Sequence, residues 1–123
     1  RILNSLLQFI EQDSSESIII AATNNQKLLD QALFRRFDDV LHYTLPDEDE
    51  VKRLFEHKLK SFDSSIRVTE KVIKSAKGLS QAEIVRVCDD VIKYSILDDV
   101  KVTASHIIKL LEERHTIYTS KEA

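Results

Sequence analysis

Two stretches of the chain concentrate polar chemistry, and a third offers space. Asn24 follows Thr23 at the end of the apolar run Ile18-Ile19-Ile20-Ala21-Ala22. A side-chain amide held at such a point can both donate and accept a hydrogen bond. Arg35 and Arg36 stand side by side in Ala32-Leu33-Phe34-Arg35-Arg36-Phe37-Asp38. A guanidinium is always charged and presents a planar fork of donors that matches phosphate or carboxylate oxygens. Farther on, Gly78-Leu79-Ser80-Gln81-Ala82-Glu83-Ile84 sets the chain's one glycine and a small alanine about a helix start.

Each of these has a plainer reading. An isolated Thr-Asn-Asn is most often a turn. Two adjacent arginines are most often surface charges, here screened by Asp30, Asp38 and Asp39. The third stretch can be a capped helix start and nothing more. Other chemistry-bearing residues do not assemble. His42, His57, His106 and His115 have no metal-ligand spacing with one another or with Cys88, so no metal site is expected. Glu48 to Glu50 and the Asp98-Asp99 pair suit helix-start charge and turn solvation. No Ser-His-Asp or Cys-His order suggests a nucleophile. The phosphate loop G-x-x-x-x-G-K-[ST] is absent, and with one glycine the chain has few places for such a loop.

The elements that must position these residues follow from hydrophobic spacing. Leu3, Leu6, Leu7 and Ile10 predict a short amphipathic helix, ended by the polar run Glu11 to Ser17. The unalternating apolar run from Ile18 predicts a strand covered on both faces, as in a parallel sheet. Leu28, Leu29, Ala32 and Leu33 predict a helix over 27–34, and Val40 to Leu45 a second strand nearer an edge. Two strands do not make a stable parallel sheet, so further strands are expected to precede Arg1. From Pro46 onward the pattern is helical only. Asp47 with Glu50 and Ser80 with Glu83 are capping boxes, and Thr69 and Thr103 are caps. The inward stripes are Val51, Leu54, Phe55, Leu59 and Phe62; Val72, Ile73 and Ala76; Ile84, Val87, Cys88, Val91 and Ile92; and Ile107, Ile108 and Leu111. Gly78 suits the left-handed position after a helix. The expectation is therefore an α/β segment over 1–45, a four-helix unit over 46–116 and a disordered tail over 117–123.

Bulk properties narrow the class. At 42% hydrophobic and 32% charged, the chain can bury a core and stay in solution. No run approaches ~18 apolar residues, so no membrane span is expected. The net charge of −3 is interleaved, without the concentrated basic face of a nucleic-acid binder. The lone Cys88 fits a reducing, cytoplasmic setting. A chain with no methionine that opens on Arg1 reads as an excerpt of a longer protein.

Taken in order, the apolar run with Ala-Ala-Thr-Asn, the short helix, Arg-Arg-Phe-Asp, the second strand, Leu45-Pro46-Asp47 and the Gly78 to Ile84 stretch resemble the C-terminal half of an AAA-family ATPase module. The resemblance covers residues 1 to about 116. It implies the last part of a P-loop AAA+ nucleotide-binding domain followed by an all-α four-helix lid, with the Walker A and B segment outside this chain. It implies that Asn24 is sensor 1, orienting water or sensing the γ-phosphate, and that Arg35 and Arg36 are arginine fingers acting in trans. The motif favours Arg36 as the residue on phosphate. The adjacent pair is closer to microtubule-severing and membrane-remodelling members than to those with a glycine between finger and Phe-Asp, although Phe34, not a third arginine, precedes it. Ala82 stands where many relatives carry a sensor 2 arginine, as in the narrower AAA family. Gln81 replaces the glycine of a Gly-Ala pair near the adenine, so Gly78, Gln81 and Ala82 are the candidate base-binding residues.

The implied activity is ATP hydrolysis with Mg²⁺ in a homo-oligomeric ring, a hexamer, that remodels a macromolecular substrate, protein rather than nucleic acid. The chain alone is expected to be inactive. Two rivals remain: a non-catalytic AAA-like interaction module, and a DNA-acting AAA+ protein. The missing sensor 2 arginine and basic stripe count against the second.

Overall fold

A computed structural model of the protein describes residues 2–23 and 35–122. Contacts divide the chain into two units, 1–43 and 44–123.

In the first unit, α1 (Ile2–Gln12) is the expected amphipathic helix. The polar run stops it: Asp13 Oδ1 accepts from Ser15 N at 3.0 Å, a local turn that competes with another helical turn. Hydrogen bonds from the Ser15 hydroxyl and from its N–H also hold the Asp13 carboxyl below its ordinary pKa. The two expected strands do not form. Residues 18–23 and 39–46 have no regular secondary structure, and no strand occurs among the described residues. Ile18 and Ile20 are each 87% exposed, and Leu41 and Tyr43 also lie open to solvent. A strand is stabilised by ladder partners and by cover on its faces, and the described residues offer neither. The helix expected over 27–34 lies outside the described residues.

The second unit holds four helices: α2 (Glu48–Phe62), α3 (Glu70–Ser75), α4 (Gln81–Asp98) and α5 (Ala104–Glu122). Their starts are set by the expected caps. Asp47 Oδ1 accepts from Glu50 N at 2.8 Å while Glu50 Oε2 accepts from Asp47 N at 3.2 Å, a complete capping box. Thr69, Ser80 and Thr103 each accept from the backbone N–H three residues on. Such a cap is worth about 1 kcal/mol.

Between the helices lies one core: Val51, Phe55 and Leu59 from α2, Val72 and Ile73 from α3, Ile84, Val87, Cys88 and Val91 from α4, and Ile107 and Leu111 from α5, joined by Ile66, Ala76 and Leu79 from the connections. No polar or charged side chain is buried with them among the described residues. Two expectations are corrected here. Phe62, assigned to the inward stripe of α2, is 41% exposed in the last turn, where the core no longer reaches. Residues 117–122, expected as a disordered tail, continue α5. The Thr116 and Thr119 hydroxyls bond back to the carbonyls of Glu112 and His115, so these threonines do not draw the backbone out of the helix.

Candidate functional site

The arginine pair sits on a turn in the first unit, exposed, with Phe37 half-buried beside it. Arg36 Nη2 lies 2.9 Å from Glu11 Oε1, with side chains 35% and 49% exposed. A pair this open is worth about 0–1 kcal/mol and weakens with salt, but it narrows the positions that the guanidinium can take. Most of the N–H donors on Arg36 stay outside this one contact. Arg35 makes no ion pair with a described residue and is open to solvent. Glu11 was not among the residues that spacing singled out. Its one signal is its place: an acid in the last turn of α1, where the helix dipole disfavours negative charge. A cation nearby offsets that cost. Asn24 lies outside the described residues.

The second group, Gly78, Gln81 and Ala82, belongs to the turn from α3 into α4. Gly78 has φ +87°, the left-handed conformation predicted for it. A Cβ added there meets only His115 Cε1, at 4.0 Å, so conformation rather than crowding explains the glycine. Leu79, 1% exposed, pins the turn to the core, and Ser80 Oγ accepts from Glu83 N at 3.2 Å to start α4. Gln81 and Ala82 are exposed on the first turn of that helix. The Glu83 carboxylate, expected to complete a second capping box, lies 3.4 Å from Arg114 Nε on α5. Next to Arg114, His115 Nε2 lies 2.9 Å from the Ser75 carbonyl oxygen. A carbonyl only accepts, so the ring carries a proton on Nε2.

The described residues bring Arg35 and Arg36 together on one turn, and Gly78, Gln81 and Ala82 together on another. These groups belong to different units. The exposed guanidiniums are suited to an anionic phosphate. Among the described residues, no cluster of three or more His, Cys, Asp or Glu is placed to hold a metal ion. Cys88 is buried in the core, which pushes its thiol pKa up to about 12, so it is a packing residue and not a nucleophile. No helix among the described residues is long and apolar enough to cross a membrane.

Residues 1–45 match the model of the ATPase family associated with various cellular activities (AAA). The uncharacterized AAA family ATPase y4kL of Sinorhizobium fredii is 37% identical over 98 residues, which is 80% of this chain and 29% of that protein. The ATP-dependent zinc metalloprotease FtsH of Parabacteroides distasonis is 34% identical over 134 residues, 98% of this chain and 19% of that protein. A putative 26S proteasome regulatory subunit homolog of Methanothermobacter thermautotrophicus is 32% identical over 100 residues, 79% of this chain and 27% of that protein. The chain thus spans less than a third of the length of each. No solved structure matches it. The matched stretch contains the exposed arginine pair, the likeness to relatives runs on through the four helices, and the chain belongs to the AAA family of ATPases.

Proposed function

We propose that this chain is the C-terminal part of an ATP-hydrolysing AAA module, and that its arginine turn completes the active site of a neighbouring subunit. The observation that carries the proposal is the exposed Arg35-Arg36 pair, inside the stretch matched by the AAA family. The chain covers 29% or less of the relatives described above, which supports a longer working protein. In that protein, residues 18–22 and 40–45 would join an α/β sheet and cover the apolar side chains that stand open here. The longer protein would assemble as a homo-oligomeric ring, a hexamer, in the cytoplasm, and remodel a macromolecular substrate, protein rather than nucleic acid.

In the proposed division of labour, Asn24 acts in cis, orienting the water near the γ-phosphate. Arg36, steadied by Glu11, reaches the γ-phosphate of the adjacent subunit, and Arg35 braces the interface. The turn at Gly78, Gln81 and Ala82 lies against the adenine. ATP with Mg²⁺ supplies the transferable phosphoryl group, and the Walker residues that hold it would come from the rest of the protein. A finger of this kind stabilises charge that grows in the transition state, worth about 10³–10⁵ in rate.

The test uses the full-length protein. Arg36→Ala is expected to leave ATP affinity within about threefold and to lower hydrolysis by about 10³ or more. This variant is then mixed with subunits lacking the water-activating glutamate. Neither parent turns over alone, yet mixed rings can pair an intact arginine with an intact glutamate, so activity should return. Mixed rings confirmed by native mass spectrometry but devoid of activity would defeat the trans assignment.

A further inference from the structure

The middle of α5 is tied twice to the turn that leads from α3 into α4. His115 Nε2–H donates to the carbonyl oxygen of Ser75, the last residue of α3, at 2.9 Å. Carbonyls at the end of a helix lack an intrahelical donor, so this bond satisfies a group that the helix itself leaves open. One residue back, Arg114 Nε lies 3.4 Å from Glu83 Oε2 in the first turn of α4, with side chains 20% and 19% exposed. That pair is shielded from solvent more than the other ion pairs of the unit, so it is screened less by salt. The two ties grip residues 75 and 83, on either side of Gly78, Gln81 and Ala82. The imidazole also lies 4.0 Å from the point where a Cβ on Gly78 would stand, so it backs the turn at its most conformationally free residue.

We propose that Arg114 and His115 are positioning residues for the nucleotide base. Together they hold the 75–83 turn in the shape that receives it. This rests on the reading of Gly78, Gln81 and Ala82 as the base-binding turn. Neither side chain needs to touch the ligand: α5 presents the two partners, and the turn cannot shift without breaking one of them. A turn fixed before binding loses less freedom when the ligand arrives, which strengthens binding without altering the reaction. The expected signature is therefore a change in KM with kcat preserved, since binding shared by ground state and transition state cancels in kcat.

The test measures ADP binding by calorimetry and ATP hydrolysis kinetics on the full-length protein. His115→Ala should weaken ADP binding and raise KM for ATP by about three- to tenfold, the share of one hydrogen bond, with kcat within twofold. His115→Gln keeps an N–H donor and should recover part of the affinity. Arg114→Ala strips a cation from the shielded Glu83 carboxylate and threatens folding. The pair Glu83→Gln with Arg114→Leu removes both charges at once and should show the same KM shift on a folded protein. Wild-type ADP affinity in folded His115→Ala and in the double variant would overturn the inference, as would kcat falling in step with KM. A wild-type protein that neither binds ADP nor hydrolyses ATP would instead defeat the proposed function.

Discussion

The two units of this chain handle similar apolar residues in opposite ways. In residues 44–123, Phe55, Leu59, Ile84 and Leu111 have no exposed surface. In residues 1–43, Phe9 is 64% exposed and Ile18 and Ile20 are 87% exposed. Composition does not separate them; the source of their partners does. Each helix of the second unit finds its apolar stripe opposed by another within 80 residues, and each start is capped locally. The first unit carries the apolar run of a strand, and no ladder forms among its described residues. The second unit is thus a body with its own core, and the first leaves Phe9, Ile18 and Ile20 open to solvent.

The strongest way to break this contrast is to separate the units. Residues 44–123 alone should unfold cooperatively and protect their helical amides from hydrogen exchange as one unit. Residues 1–43 alone should show far fewer protected amides, because among the described residues Phe9, Ile18 and Ile20 lie open to solvent. Equal protection in both pieces would end the comparison.

A paired substitution sharpens it. Phe55→Ala in the second unit should cost about 3–5 kcal/mol in a urea titration, through lost burial and the cavity left behind. Phe9→Ala in the first unit should change stability by less than about 0.5 kcal/mol. The same ring is removed each time, so the difference reports its surroundings.

The thiol of Cys88 tests the same core by pH. Burial raises its pKa in the folded chain to about 12. A raised folded pKa means that the folded state holds the proton more tightly. The associated stability is complete below the unfolded value of about 8.5 and is lost as the pH rises toward the folded value. Urea midpoints should therefore fall between about pH 9 and pH 12 more steeply for the wild type than for Cys88→Ala. Parallel slopes would mean that the thiol is not shielded as described.

The smallest effects belong to the backbone at two helix ends of the second unit. Gly78→Ala should cost about 1 kcal/mol, since its φ of +87° is unfavourable for a residue with a Cβ while the space around it is open. Asp99, the C-cap of α4, also has a positive φ, of 51°. Asp99→Gly should stabilise by about 0.5 kcal/mol. Opposite shifts in midpoint from these two substitutions check the assignment.

The second unit was legible because its determinants are local. Asp47 and Glu50, Thr69, Ser80 and Thr103 announce helix starts from within a few residues, and stripes such as Val51, Phe55 and Leu59 repeat within one helix. The first unit is less legible because its outcome depends on distant partners: the apolar run at Ile18 has the composition of a buried strand, and no ladder occurs among the described residues. The candidate site divides the same way. Arg35, Arg36, Gly78 and Ala82 were found by type and order. Glu11, Arg114 and His115 were not, because their partners Arg36, Glu83 and Ser75 lie far along the chain and nothing in local spacing links them. Tertiary ion pairs and side-chain-to-carbonyl bonds leave no periodic trace.

The wholly apolar interior of the four-helix unit has a consequence for how its sequence can change. A buried hydrogen-bonded pair must change both members together, whereas exchanges between aliphatic side chains of similar volume cost under about 1.5 kcal/mol each. With no polar side chain buried among the described residues, the core can exchange Val, Ile and Leu one at a time without passing through a broken intermediate. The capping residues are freer still, because aspartate, asparagine and serine serve almost equally there and threonine only slightly less well. Such a unit can drift far in sequence while keeping its shape, and selection is left to act mainly on the few side chains that face outward from its turns.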